Sequence, residues 1–279
     1  MRRTCRATCT RSGAAWHPDS PARGEAKSRR TAGGTRTLGI PTIGDRVAQM
    51  VVKMHIEPGI DPMFHDGSFG YRPGRSQHGA LDRVKSNCRM LGWAIDLDIK
   101  AFFDEIDHGL LMRALARRTT EKWVLMYVRR WLTAPMARLD GTLVERKAGT
   151  PQGGVISPLL ANLFLHYALD KWMDTSLPEL PFVRYADDIV VHCRTEAEAR
   201  SALGTIRARL GACKLRLHPD KTRIVHCKRG RSTDPAHTSP STSSASRSSP
   251  ESSGKRRPGR HSWGCPVLSR KSFIRMIRP

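Results

Sequence analysis

Large apolar side chains are absent from one long segment of this chain, and that absence limits where a core can form. Between Arg229 and Gly264 there is no Val, Ile, Leu, Met or Phe, and residues 232–254 contain 10 Ser. Such a segment buries too little apolar surface to offset the entropy lost on ordering. The packed core is therefore expected before residue 230. The segment itself is typical either of a disordered basic linker or of a GC-rich gene translated out of frame.

The charge of the chain is concentrated outside this expected core. The 279 residues have a formal net charge of +23. Residues 1–37 contribute +7 and residues 228–279 contribute +10, whereas the long middle contributes only +6. A charge this positive indicates a polyanionic partner such as nucleic acid.

Other composition features exclude several classes of protein. No run of about 20 apolar residues is present, so no transmembrane helix and no membrane partner are predicted. The basic start, residues 1–16, lacks the apolar core of a secretory signal. The 7 cysteines form no CxxC pair, so neither a zinc ribbon nor a disulfide framework is indicated. Together these features predict a cytoplasmic protein with reduced thiols.

The middle of the chain mixes helical and extended patterns, which predicts an α+β fold. Asp45 is a plausible N-cap of a helix that Pro58 and Gly59 end. Residues at helical spacing along it are Val47, Met50, Val51, Met54 and His55. Residues 92–99 alternate strictly and predict a strand. Its two faces are Trp93, Ile95, Leu97 and Ile99 on one side and Ala94, Asp96 and Asp98 on the other.

Capping residues place further helices along the middle of the chain. Asp107 precedes an apolar periodic run, and a second helix follows with aromatic residues at spacing four. Ser157 and Pro158 suit the N-cap and first position of another helix. Thr195 and Glu198 form a capping box that opens a helix running to about residue 211. Residues 182–193 predict two short strands around a tight turn.

Two acidic sites lie at the ends of apolar strands. Asp98 follows one strand, and Asp187 and Asp188 occupy the turn of the predicted hairpin. Adjacent aspartates in a turn are commonly just solvated. Here, however, apolar residues flank the pair on both sides, so the hairpin belongs to the core. Close carboxylates repel unless a cation lies between them, and Mg²⁺ accepts a few carboxylates together with substrate phosphates. Three carboxylates with two metal ions suit in-line displacement at phosphorus.

Six segments, in order along the chain, resemble group II intron reverse transcriptases, the bacterial intron-encoded maturases. They are TRTLGIPTIGDRVAQ (35–49), SFGYRPGRSQHGAL (68–81), DIKAFFDEIDH (98–108), GTPQGGVISPLLANLFLH (149–166), RYADDIVV (184–191) and HPDKTRIVHC (218–227). The resemblance covers about residues 31–230. It implies a right-hand polymerase with fingers and a palm, the palm sheet being antiparallel and ferredoxin-like.

The resemblance also implies roles for individual residues. Asp98, Asp187 and Asp188 match the carboxylates that bind two Mg²⁺ ions. Phe103 matches the bulky gate that rejects a ribose 2′-hydroxyl, although it is equally suited to the core. The positions matching nucleotide contacts are Arg36, Gln152, Gly153 and Lys221, where Lys221 would protonate or neutralise the leaving pyrophosphate. Arg72 and Arg75 are candidates for contacts with template phosphates, and their segment YRPGRS is equally suited to a structural turn.

The flanks depart from the family pattern. Residues 1–30 form an unmatched basic segment, residues 31–230 the fingers and palm, and residues 231–264 a disordered stretch. Residues 265–279 resemble a remnant of the maturase region, and the thumb is expected to be largely missing. The implied function is RNA-directed DNA synthesis on intron RNA from a DNA primer, using deoxynucleoside triphosphates, with a role in splicing and mobility. An inactive or non-enzymatic RNA-binding maturase fragment is the alternative.

Overall fold

A computed structural model describes residues 41–137, 142–151 and 153–227, and the backbone of 25–29 and 35–39. Within these residues the helices are α1 (Ile43–Ile60), α2 (Gln77–Met90), α3 (Phe102–Glu105), α4 (His108–Ala116), α5 (Lys122–Thr133), α6 (Ser157–Leu165), α7 (Lys171–Ser176) and α8 (Glu196–Ala212). The strands are β1 (Glu25–Arg29), β2 (Thr35–Gly39), β3 (Trp93–Asp98), β4 (Met136–Ala137), β5 (Leu143–Val144), β6 (Phe182–Tyr185), β7 (Asp188–Cys193) and β8 (Arg223–His226). The predictions for the terminal segments and the thumb fall outside these residues, apart from the backbone of 25–29.

A four-stranded antiparallel sheet lies at the centre of the molecule. Its spatial order is β6-β7-β3-β8, and every neighbouring pair is antiparallel. In chain order this arrangement is second, third, first, fourth, which is the ferredoxin-like order. The predicted palm sheet and the α+β class are therefore confirmed.

The two faces of the sheet are covered differently, as the alternation in β3 predicted. Ile95 and Leu97 are fully buried in the large core together with α6 and α8. Ala94 lies on the opposite face, in a smaller cluster with residues of α2. Asp96 and Asp98 continue along this second face toward the end of the strand, because side chains alternate along a strand. Asp96 is buried on this face, whereas Asp98 at the end of the strand is only half-buried.

Helix α1 differs from its prediction at both ends and in its buried face. Thr42, not Asp45, is the N-cap: its hydroxyl oxygen accepts a hydrogen bond from the amide of Asp45 at 3.2 Å. The helix continues through Pro58 to Ile60, whose side chain is 1% exposed. Burial of such a side chain contributes about 1.5–3 kcal/mol, which opposes the cost of the proline. The predicted face is largely exposed, and the buried residues are Gln49, Val52, Ile56 and Ile60.

Most other helix starts agree with the sequence. Asp107 caps α4, accepting a hydrogen bond from the amide of Leu110 at 2.8 Å. Thr195 caps α8 as predicted, accepting a hydrogen bond from the amide of Glu198 at 3.1 Å. The Glu198 carboxylate accepts from the amide of Arg194 at 2.6 Å, one residue before the N-cap, and not from the Thr195 amide of a regular capping box. Helix α6 begins at Ser157 itself, one residue earlier than predicted: Ile156 is the N-cap, and the Ser157 hydroxyl donates to the carbonyl of Pro151 instead of capping the helix.

Candidate active site

The Asp187–Asp188 pair lies at a tight turn between β6 and β7. Tyr185 pairs with Asp188, so Ala186 and Asp187 alone form the loop. Ala186 has a φ of +58°, a left-handed conformation that costs a non-glycine residue about 1–2 kcal/mol. The surrounding structure must therefore hold the turn in place.

Asp98 meets this turn across the sheet. It ends β3 and is the register partner of Asp188, the first residue of β7. Side chains of directly opposed residues share a face, with Cβ atoms about 4.5–5.5 Å apart. The structure therefore brings Asp98 and Asp188 together, with Asp187 adjacent in the loop. Among the residues the structure describes, no three His, Cys, Asp or Glu side chains already form a group that could hold a metal ion.

The segment after α8 encloses Asp98 from the other side. The carbonyl of Asp98 accepts a hydrogen bond from the amide of His218 at 2.7 Å. Lys221 Nζ lies 3.8 Å from Asp98 Oδ2, with the lysine side chain 47% exposed and the aspartate 16%. The predicted nucleotide-binding lysine is thus at the carboxylate cluster, where it balances part of the negative charge.

Phe103 lies beside the loop that precedes α6. Its ring is half-buried and meets the fully buried Phe102 edge to face, with 5.3 Å between the ring centroids. The carbonyl of Phe103 accepts a hydrogen bond from the amide of Thr150 at 2.7 Å. Phe102 is therefore a core residue, whereas Phe103 packs against the core and is only partly buried.

Gln49 of α1 holds the other end of this loop, and sequence reasoning missed it. Its buried side-chain oxygen accepts a hydrogen bond from the amide of Val155 at 2.8 Å. Gly153 has a φ of +107°, which requires glycine there. A Cβ on Gly154 would lie 2.6 Å from the Ser157 hydroxyl. Gln152 lies outside the described residues.

The predicted arginine contacts fall into three groups. Arg72 is almost fully buried: Nε donates to Asp61 Oδ1 at 2.8 Å, and the other nitrogens donate to carbonyl oxygens. This geometry favours the structural alternative over a template contact. Arg75 is more exposed and pairs with Asp66 at 2.9 Å. Arg36 lies on β2, where the structure describes only the backbone.

Sequence reasoning also missed a buried ion pair behind the turn. Arg184 of β6 and Asp170 are both 0% exposed, and Arg184 Nη2 lies 2.6 Å from Asp170 Oδ2. The available signal was a charged residue inside an apolar strand, since a buried charge requires a partner. The partner itself, 14 residues earlier in a π-helical turn over His166–Asp170, has no local pattern.

The model of the family "Reverse transcriptase (RNA-dependent DNA polymerase)" matches residues 25–257. This chain belongs to that family. The match includes the hairpin, the opposing Asp98 and the loop beside Phe103.

Curated relatives agree with this reverse transcriptase assignment. Protein YkfC of Escherichia coli strain K12 is 34% identical over 239 residues, covering 72% of this chain and 62% of YkfC. The group II intron-encoded protein LtrA of Lactococcus lactis is 38% identical over 138 residues, covering 50% of this chain and 23% of LtrA. The resemblance to group II intron reverse transcriptases is confirmed. The chain spans less than two thirds of either relative.

Solved structures support the fold. Apo telomerase from Candida tropicalis, truncated from the C-terminal domain, matches with a TM-score of 0.55 at 13% identity. The match covers 72% of this chain and 49% of that one. At this identity the likeness concerns the fold alone. No helix in the described part of the chain is long and apolar enough to cross a membrane.

Proposed function

We propose that this chain carries the fingers and palm of a group II intron reverse transcriptase and adds deoxynucleotides to a DNA primer on an RNA template. The observation that carries this proposal is the register of Asp98 opposite Asp188, with Asp187 in the adjoining two-residue loop. The identity with LtrA and the strongly positive charge support intron RNA as the template.

Reverse transcriptases normally use a divalent metal, and the donor set here suits one. Asp98 and Asp188 face each other across two strands, and the positive charge of Lys221 offsets only part of this pair of like charges. Their hard oxygen ligands suit Mg²⁺. Asp98, Asp187 and Asp188 would hold two Mg²⁺ ions, which would supply activation of the primer 3′-hydroxyl and neutralisation of the phosphates.

The remaining residues would bind and select the nucleotide. Phe103 would exclude the 2′-hydroxyl of a ribonucleotide, because its side chain is only partly buried while Phe102 fills the core. Gly153 and the neighbouring Gln152 would line the nascent base pair. Lys221 Nζ would give a proton to the leaving pyrophosphate or neutralise its charge. Arg36 would contact the triphosphate.

Primer extension tests this proposal. The full chain is incubated with an RNA template, a DNA primer, deoxynucleoside triphosphates and Mg²⁺, and product length is measured. Asp187→Asn should abolish extension, because a carboxylate ligand is lost. The matched control is Asp82→Asn on α2, whose side chain is 75% exposed and whose nearest cation is Lys85 at 3.7 Å. Extension that persists in Asp187→Asn would assign the activity to another site or a contaminant.

A non-enzymatic RNA-binding fragment is the second candidate. It is favoured by the net charge of +23, because a strongly basic chain can bind RNA without any catalytic step. In that case RNA binding measured by filter retention would be the same for wild type and Asp187→Asn, and neither would extend a primer.

A further inference from the structure

The buried ion pair behind the turn is part of a larger hydrogen-bonded arrangement. Asp170 accepts two hydrogen bonds from the Arg184 guanidinium, from Nε at 2.9 Å and from Nη2 at 2.6 Å. This double contact fixes the plane of the guanidinium. A fully buried pair contributes little net stability compared with apolar residues of the same volume. The contribution of this pair is therefore expected to come from the groups that the oriented guanidinium contacts, and not from net stability.

The remaining guanidinium nitrogen points to the turn. Arg184 Nη1 donates to the carbonyl of Ala186 at 3.2 Å and to Asn162 Oδ1 at 2.8 Å. Ala186 is the residue in the left-handed conformation, directly before Asp187. Arg184 thus holds the carbonyl of the strained residue and so restricts the backbone that presents the two aspartates.

Asn162 extends this hold to the opposite side of the turn. The asparagine is 2% exposed, and its Nδ2 donates to the carbonyl of Gly70 at 2.7 Å. The backbone of Gly70 is pressed against Ala186, since a Cβ on Gly70 would lie 2.3 Å from the Ala186 nitrogen. The turn is therefore held by a hydrogen bond on its carbonyl side and by backbone contact on its amide side. Asn162 connects the two.

We propose that Arg184, oriented by Asp170 and Asn162, is a positioning residue that sets the places of Asp187 and Asp188 for metal binding and catalysis. The proposal rests on the proposed polymerase function. Arg184 is fully buried, so it acts through the turn and not by touching substrate. Gly70, Asn162, Asp170 and Arg184 together form the turn-holding network.

Two variants test this role, with one control. Asn162→Ala removes the bonds to Gly70 and Arg184 but leaves the ion pair. Arg184→Lys keeps a positive charge beside Asp170 but lacks the fork that reaches Ala186. The control is Asn87→Ala, which removes another buried amide that lies on α2 and contacts His192 at 3.4 Å instead of the turn.

The decisive readout is the Mg²⁺ concentration that gives half-maximal primer extension, measured well below the Tm of each variant. We expect this midpoint to rise about 10-fold in both test variants, since residues that support metal ligands commonly affect affinity by 10–100-fold. We expect kcat to fall about 10- to 100-fold and KM for deoxynucleotide to stay unchanged. Hydrogen exchange in peptides covering residues 185–190 should accelerate. Asn87→Ala should lower Tm only.

An unchanged Mg²⁺ midpoint in the folded test variants, or an equal shift in Asn87→Ala, would overturn the positioning role. If Arg184→Lys does not fold, Asn162→Ala decides alone. If the wild-type chain extends no primer, the proposed function fails, and Mn²⁺ titration calorimetry decides the positioning role separately. Weaker Mn²⁺ binding with faster exchange at 185–190 in Asn162→Ala would then support it, and unchanged values would overturn it.

Discussion

Gly70→Ala is expected to disable the turn without unfolding the protein. The added Cβ would lie 2.3 Å from the Ala186 nitrogen and 3.0 Å from the Tyr185 carbonyl carbon. Ordinary contact begins at 3.4 Å, so the turn or residue 70 must move by about 1 Å. Overpacking of this kind costs about 1–3 kcal/mol, and a 1 Å displacement of a catalytic group lowers the rate about 100-fold. Primer extension should therefore fall about 100-fold while Tm falls by roughly 2–12 °C.

Two control glycines separate displacement of the turn from loss of stability. In Gly67→Ala the new Cβ would also lie 2.3 Å from backbone, but at the carbonyl of Phe182, at the far end of β6. It should destabilise to a similar extent with a much smaller loss of kcat. Gly204→Ala, in α8 with nothing within 4 Å, should raise stability by about 0.5–1 kcal/mol. Full activity in Gly70→Ala, or equal loss of kcat in both strained variants, would refute the reasoning.

Other perturbations follow from the same structure. If Phe103 is the gate, Phe103→Ala should raise ribonucleotide incorporation relative to deoxynucleotide; an unchanged ratio with a lower Tm would assign it to the core. Arg72→Ala should lower the free energy of unfolding by about 3 kcal/mol in urea titrations, because buried partners lose their donor, whereas Arg75→Ala should instead reduce the salt dependence of RNA binding. Burial lowers the pKa of His192 from 6.5 to about 4; the unfolded chain therefore binds the proton first, and the unfolding free energy should fall by up to about 3 kcal/mol from pH 6.5 to 4. That slope should be flatter in His192→Gln, and an identical slope would contradict this assignment.

Local patterns predicted the elements of the palm well. The alternation in β3, the two short strands around residue 187 and the N-cap at Thr195 each depend on neighbouring residues alone, and each is present. Helix α1 is the exception. Its apolar residues lie on two faces, so periodicity identified a helix but could not decide which face meets the core. Packing on α6 buries the face of Gln49 and Val52 instead.

The sequence predicts the carboxylates of the site better than it predicts the residues that support them. Asp98 and Asp188 stand at strand ends, so a motif indicates them, and their register follows from the sheet. Asn162 lies inside an otherwise apolar helix, and Arg184 inside an apolar strand. Each is recognisable as a polar residue that needs a partner. Their mutual contacts link segments 14 to 92 residues apart, and no local rule specifies such pairs.

The aspartates of the acidic site are positioned by different parts of the structure, so substitutions in those parts should have different effects. Asp187 and Asp188 depend on the turn-holding network, which is buried. Asp98 depends on the amide of the half-buried His218 and on the half-exposed Lys221. A change in the network therefore alters stability and geometry together. A change at Lys221 leaves the fold largely intact, because a half-exposed ion pair contributes little stability. Substitution of Lys221 is thus more apt to remove activity while preserving the fold than substitution in the network. Variants at Lys221 are therefore better suited to measuring nucleic-acid binding separately from DNA synthesis.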